Sequence, residues 1–328
     1  MRQLPRFVST TGLAVIALLP LMAHAQSNVT ISGTVDVGMY RSFDKTTHVG
    51  PISRSDLTFK GSEDLGSGLA TTFRLSTRFD TDTGSVECCN KPFWYGESTV
   101  GLKGSFGHIR LGRAMEAVTA NDWAFDPWGN FDRIASPAWH FWHYNYTADR
   151  TANAGSPEYF RLSNGIFYDS PTFGGVSISL SGSPEKPTGT GAGTKRSYQG
   201  ALKYAQGPAA ATLAFGKNAS NDEVLFLGAK YAFGSLTLMG AYDRSKFEAA
   251  TPAVAYARTI GATYQLGSFL FQGSHGRLNA SGAKTSFIGL GSQYALSKRT
   301  YVYVSFGHKR PGSADSASSY GIGINHSF

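Results

Sequence analysis

The chain has 328 residues, of which 41% are hydrophobic and 16% charged, with 30 basic against 22 acidic side chains and a formal charge of +8. Beyond the first 25 residues no apolar run approaches the ~20 residues of a membrane-spanning helix, so a helical bundle in a bilayer is excluded. The basic excess is moderate and spread out, without a basic block or a nucleic-acid motif, which argues against a nucleic-acid partner. The two cysteines, Cys88 and Cys89, are adjacent and cannot staple a long loop. They form either a strained vicinal disulfide or two thiols, and no chemistry is assigned to them.

Residues 1–25 carry Arg2 and Arg6, an apolar run over 13–21, and the small-x-small site Ala23-His24-Ala25. This is the pattern of a cleaved secretory signal, so the mature chain is expected to begin at Gln26 and to work outside the cytoplasm. Removing Arg2 and Arg6 from the 30 basic residues leaves 28 against 22 acidic, a net charge of +6.

Alternating segments then recur along the whole chain. The expected strands are 29–42, 53–62, 69–81, 97–105, 108–114, 162–170, 175–183 and 196–205, followed by 209–218, 223–233, 235–247, 254–266, 268–278, 284–296, 299–310 and 317–328. Sixteen is an even number, as a closed antiparallel barrel with both ends on one side requires. Short connections at 64–68, 105–107, 170–175, 206–208, 233–235, 266–268 and 296–299 alternate with longer polar or aromatic ones. In 69–80, Leu69, Phe73, Leu75 and Phe79 share one face while Thr72, Arg74, Ser76, Arg78 and Asp80 share the other. In a barrel in lipid the apolar face is outside, and closure pairs every backbone group. Tyr204, Tyr231, Tyr242, Tyr264 and Tyr294 recur at strand ends, as an aromatic girdle would. The chain ends in alternation too: Tyr320, Ile322, Ile324, His326 and Phe328 lie on one face, which predicts a last strand pairing with the first.

One connection stands apart. Residues 114–161 form a loop far longer than the 12–15 residues at which loops become uncommon in compact folds. Its aromatic residues, among them Trp123, Phe125, Trp128, Phe131, Trp139, Phe141, Trp142, Tyr144 and Tyr146, argue for packing against a wall rather than disorder. Glu116, Asp122, Asp126 and Asp132 are its candidate acidic residues. By strand parity the basic residues facing the lumen are Arg54, Lys60, Arg74, Arg78, Lys103 and Arg110, and Arg161, which precedes the sixth strand, is expected to face the same way. Loop carboxylates facing this basic wall would set a transverse field at the narrowest point, and arginine and lysine lining a pore favour anions. A competing expectation pairs several of these arginines to Asp56, Asp80 or loop carboxylates.

Residues 54–66 (RSDLTFKGSEDLG), 100–113 (VGLKGSFGHIRLGR), 164–173 (NGIFYDSPTF), 294–300 (YALSKRT) and 323–328 (GINHSF) together resemble the general porins of the Gram-negative outer membrane, of the neisserial and beta-proteobacterial type. The resemblance implies an all-β, 16-stranded transmembrane barrel with short periplasmic turns, long extracellular loops and the third loop folded into the lumen. It implies residues 26–328 as one barrel domain, a homotrimer built on the first and last strands and the second loop (82–96), and contact with outer-membrane lipids and lipopolysaccharide. It also implies that the C-terminal Phe328 is read by the outer-membrane insertion machinery. The implied function is passive diffusion of ions and small hydrophilic solutes, here weakly anion-preferring. Phe167 and Asn325 stand where relatives often carry basic residues, which weakens that preference. The alternative is a substrate-preferring channel using the aromatic loop. An enzyme is disfavoured: His140 and His143 lack further ligands at metal-site spacing, and no G-x-S-x-G, H-E-x-x-H or phosphate-loop motif is present. No cofactor and no metal are expected.

Overall fold

A period of two gives each strand one apolar and one polar face, and strands of this kind fill almost all of the computed structural model. It describes residues 28–87, 92–146, 161–185, 195–248 and 251–328. The signal segment and Cys88 and Cys89 lie outside the described residues. In chain order the first strands are β1 (Asn28–Arg41), β2 (Thr47–Gly50), β3 (Ser55–Gly66), β4 (Leu69–Phe79), β5 (Glu97–Gly104) and β6 (Gly107–Met115). Then come the short helix α1 (Pro137–Phe141), β7 (Arg161–Asp169), β8 (Val176–Gly182), β9 (Tyr198–Gln206), β10 (Ala209–Lys217) and β11 (Glu223–Phe233). The remainder are β12 (Leu236–Phe247), β13 (Ala253–Leu266), β14 (Phe269–Ala280), β15 (Ala283–Ala295), β16 (Thr300–Pro311) and β17 (Ala317–Ser327).

Every pairing is antiparallel between neighbours, and the sheet closes where β1 meets β17, with Thr34 opposite Ser327 and Arg41 opposite Tyr320. Phe328 itself seals the seam: its N–H donates to the Gly33 carbonyl at 3.0 Å and its carbonyl accepts from the Gly33 N–H at 3.2 Å. Sixteen strands form this barrel, as the alternation predicts. The seventeenth, β2, is an unforeseen ribbon in the first long connection, paired with the end of β1 from Gly38 opposite Gly50 to Arg41 opposite Thr47.

The expected contrast between short and long connections holds only for the first half. Between β10 and β17 the connections on the loop side shrink to 218–222, 248–252, 281–282 and 312–316. The tightest is possible because Ser281 and Gly282 both adopt positive φ, at 49° and 94°, as a two-residue hairpin turn that follows the sheet twist requires.

The faces are inverted relative to a soluble protein. On β13 the outward Ile260 is 66% exposed while the inward Ala257 and Thr259 are buried. The largest buried cluster lies inside the barrel, where Phe125, Ala138, Phe141 and Trp142 of the long loop pack on Phe226, Ala255, Ala257, Leu278 and Phe287 of the wall. Tyr204, Tyr231, Tyr264 and Tyr294 are exposed at the short-turn end, with the tilted rings of Phe233 and Phe269 against Tyr231 and Tyr294 at 4.5 and 4.7 Å between ring centres. Tyr242 is not part of this girdle: it stands higher on β12, opposite Arg258.

Candidate functional site

The loop between β6 and β7 enters the barrel and fastens to the wall formed by β8–β16. A helical turn of the loop, α1, begins at Ser136, whose side chain accepts from the Trp139 N–H at 3.1 Å, with Pro137 in the first helical position. A hydroxyl cap followed by a residue that lacks an N–H is a favourable helix start. Inward glycines let the loop lie directly on the sheet. A Cβ at Gly289 or Gly307 would run into the carbonyl oxygens of Ala135 and Ile134.

Polar contacts fasten the same surface. The Val118 N–H donates to Gln199 Oε1 at 2.8 Å, the Asn145 N–H to Ser245 Oγ at 3.0 Å, and Gln272 Nε2 to the Pro127 carbonyl at 2.7 Å. His143 sits between two carboxylates, Asp122 at 2.8 Å and Asp243 at 2.6 Å, and its own backbone N–H donates to Asp243 at 2.9 Å. Burial alone would push this imidazole down, but Asp243 and Asp122 outweigh it and hold it protonated up to about 10. His140 has no such partners, and burial pushes it down to about 3.

The four loop carboxylates therefore do not face the arginine wall. All four are buried. Glu116 accepts from Gln199 Nε2 at 2.7 Å and from the Tyr146 hydroxyl at 3.4 Å. Asp126 accepts from the N–H groups of Trp128 and Asn130, each at 3.0 Å, and from Ser136 Oγ at 3.0 Å. Asp132 accepts from the N–H groups of Ile134 and Ala135 and, at 2.5 Å, from Ser305 Oγ on β16. Burial pushes Asp122, Asp126 and Asp132 each up to about 6. The expected acidic face of the constriction is thus corrected. A desolvated carboxylate is stable here because donors of the loop and wall surround it, and that geometry turns it away from water.

The open part of the lumen lies on the other side. A space of about 510 Å³ is bounded by Arg54, Arg74, Arg78, Arg110 and Arg161, by Asp56 and Glu97, and by Trp123 and Phe131 of the loop. An adjoining space towards the short turns shares Arg74, Glu97 and Arg110 and adds Lys60. Six of the seven predicted basic residues are brought together in this way. Lys103 is exposed next to the short turn, opposite His108, and borders neither space.

Charges within the cluster are partly offset. Arg110 bridges Glu97 at 2.8 Å and Asp169 at 3.1 Å, and Arg74 lies 3.3 Å from Glu97. Arg54 lies over Phe131 at 4.4 Å and Trp139 at 4.9 Å. Arg161 is buried, donating to the Gly96 carbonyl at 2.6 Å across the Tyr95 ring. Asp80 is 3.9 Å from Arg133 of the loop.

Glu97 is a lumen residue that the sequence reading does not single out, although the parity that selects Lys103 also selects position 97. Asp36 is another. It is buried in β1 and collects the Ile52 and Ser53 N–H groups, the Tyr303 hydroxyl and Asn325 Nδ2, at 2.8 to 3.0 Å. The two departures from the family pattern have structural places: Asn325 donates to Asp36, and Phe167 packs with Ala114 and Leu162 beneath Arg110, 5.6 Å from its guanidinium.

A closed barrel with an apolar outside, a charged lumen and an inserted loop defines the class of β-barrel membrane channels. The chain belongs to the Gram-negative porin family, whose sequence model matches residues 12–314. It is 31% identical to outer membrane porin protein 32 of Delftia acidovorans over 90% of this chain and 87% of that one. It is 23% identical to the major outer membrane protein P.IB of Neisseria meningitidis serogroup B, over 97% and 99%. Among solved structures, the anion-selective porin from Comamonas acidovorans superposes with a TM-score of 0.81 at 25% identity, covering 92% of this chain and all of that one. The protein is an outer-membrane porin channel.

Proposed function

We propose that the channel passes small hydrophilic solutes and ions by passive diffusion with a weak preference for anions. The observation that carries this reading is the composition of the larger lumen space, where five arginines face two carboxylates. Guanidinium groups keep their charge at any working pH, and a ring of one sign in a narrow water-filled passage selects ions of the other. The salt bridges of Arg110 and Arg74 with Glu97 keep the preference weak. The structural relative from Comamonas acidovorans, an anion-selective porin, supports the same sign. Recording single channels in a salt gradient tests this: a reversal potential of anion-selective sign is expected, and the cation-selective sign would overturn it.

A second reading, preference for aromatic anions, rests on Trp123 and Phe131, which border the space, while Phe125, Phe141, Trp142 and Tyr146 are spent on anchoring. Liposome swelling with graded sugars against aromatic acids separates a general pore from a preferring one. The reading extends to assembly: residues 1–25 are an export signal, residues 26–328 the barrel domain, and three copies associate through the first and last strands and the 82–96 loop. Crosslinking that finds only monomers in native membranes would count against the trimer. Phe328 serves insertion, so its deletion should reduce assembled protein more than conductance per channel. Outer-membrane lipid and lipopolysaccharide cover the remaining outer face.

A further inference from the structure

Three arginines stand in one transverse row on the outside of the barrel. Arg258 of β13 is directly opposite Arg277 of β14, Arg277 is opposite Ser286 of β15, and Ser286 is opposite Arg310 of β16. Their chain neighbours define the inner face, since Ala257 and Leu278 belong to the cluster under the long loop and a Cβ at Gly276 would meet Pro137. The three arginines therefore point outward, and all three are exposed. In the next row towards the loops, Arg244 is opposite Tyr256, Tyr256 opposite Asn279, and Asn279 opposite Lys284.

The row lies at a definite height. Phe269 and Leu266 mark the short-turn end of β14 and β13, and Arg277 and Arg258 are eight residues further along. At ~3.3 Å per residue and a tilt of about 40°, that is a rise of roughly 20 Å, close to the ~25 Å apolar band of an outer-membrane barrel. Between the two levels the outer face carries Ile260, Ile288, Leu290 and Phe306. The arginines thus sit where acyl chains give way to headgroups, on the leaflet next to the long loops.

Like charges directly opposite one another on a sheet repel. Arg244 has Glu223 at 3.7 Å, but among the described residues Arg258, Arg277 and Arg310 have no carboxylate within ion-pair distance. An anion from outside the chain would remove the repulsion. Guanidinium forks fit phosphate in two places at once, and the Ser286 hydroxyl in the same row can donate to it.

We propose that this row binds the phosphate groups of a phosphorylated glycolipid of the outer leaflet, whose acyl chains lie on the apolar rows below. The inference rests on the lipid contact proposed above and assigns it a place and a chemistry. It is tested on the purified full-length protein, by native mass spectrometry after incubation with bisphosphorylated lipid A, with its dephosphorylated form, or with inorganic phosphate. The wild type should retain the phosphorylated lipid. Arg258→Gln/Arg277→Gln/Arg310→Gln should retain at least about tenfold less, as expected when charge-assisted hydrogen bonds are lost. Its single-channel conductance should be unchanged, because the row is outside the lumen. Arg277→Gln alone should lower retention less and serves if the triple variant fails to fold. Equal retention by wild type and variant, or equal retention of the dephosphorylated lipid, would overturn the proposal while leaving lipid contact standing. A wild type that retains no glycolipid would sink both, and displacement by inorganic phosphate at low concentration would show a free-anion site instead.

Discussion

The two sides of the lumen are built from the same alternation but to opposite ends. On β3–β7 the inward positions carry long charged side chains, and the space in front of them stays open. On β11–β16 the inward positions include Gly228, Gly261, Gly276, Gly289 and Gly307, each with a loop atom lying where a Cβ would project. Around these glycines stand short polar or acidic groups, Asp243, Ser245, Gln272 and Ser305, each engaged by the loop. The difference shows how a barrel places its constriction. Small residues clear a track for the loop on one wall, and the loop's own bulk then leaves the passage against the other, so pore size and pore charge are encoded on different strands.

The most direct way to break this comparison is to fill the track. Gly289→Val with Gly307→Val would push side chains into the Ala135 and Ile134 carbonyls, and overpacking of this kind costs about 1–3 kcal/mol per site. The loop should lift from the wall and single-channel conductance should change more than for any wall-charge variant. Conductance equal to wild type would show that the glycines do not seat the loop. The second largest effect belongs to the basic wall: Arg74→Gln with Arg78→Gln should move the reversal potential towards cations at nearly unchanged conductance. No shift would remove both residues from the ion path.

Much of this architecture is legible in the sequence. Period-two alternation locates the sixteen barrel strands to within a few residues, and parity puts Arg54, Arg74, Arg78 and Arg110 on the inner face. Parity says which face a residue is on, not what lies against that face. The loop carboxylates illustrate the limit: Asp122, Asp126 and Asp132 look like pore charges from residue type alone, but their partners His143, Ser136 and Ser305 are distant in sequence or depend on the loop's turns. The inward glycines are equally visible and equally silent, because their meaning depends on register across five strands. The ribbon β2 escapes detection because four residues, Thr47–Gly50, are too few for alternation to register.

Titration sharpens the comparison, because the docked side is the one that depends on a buried proton. His143 keeps its proton up to about 10 in the folded protein, against an ordinary value of 6.5. Its contribution to docking is therefore fully present below pH 6.5 and is lost as pH rises through about 10. Asp126 and Asp132 work in the other direction: raised from 3.8 to about 6, they bind protons in the folded state first, so lowering the pH from about 6 to about 4 does not undock the loop. Limited proteolysis of the loop should stay slow between about pH 5 and 8 and quicken near pH 10, whereas His143→Gln, with no imidazole to titrate, should be cut faster already at neutral pH and show no step near pH 10. A cleavage rate that stays flat through pH 10 would deny His143 this role.

The smallest expected effect is the most discriminating, because its sign is opposite to that of the arginine variants. Glu97 lies between Arg74 and Arg110 at 3.3 and 2.8 Å on the open side, and Thr99 donates to it at 2.9 Å. Glu97→Gln keeps the shape and removes one negative charge from the lining. Partly solvated ion pairs contribute about 0–1 kcal/mol, and Arg110 keeps Asp169 at 3.1 Å, so barrel stability should hardly change. The reversal potential should instead move further towards anions, by less than the opposite shift in Arg74→Gln/Arg78→Gln, which removes two charges. Screening sets a further condition: with a Debye length of ~10 Å at ~0.1 M salt and ~30 Å at ~0.01 M, the shift should grow as the salt is diluted. A shift towards cations, or one insensitive to salt, would mean that Glu97 acts by positioning the arginines rather than by its own field.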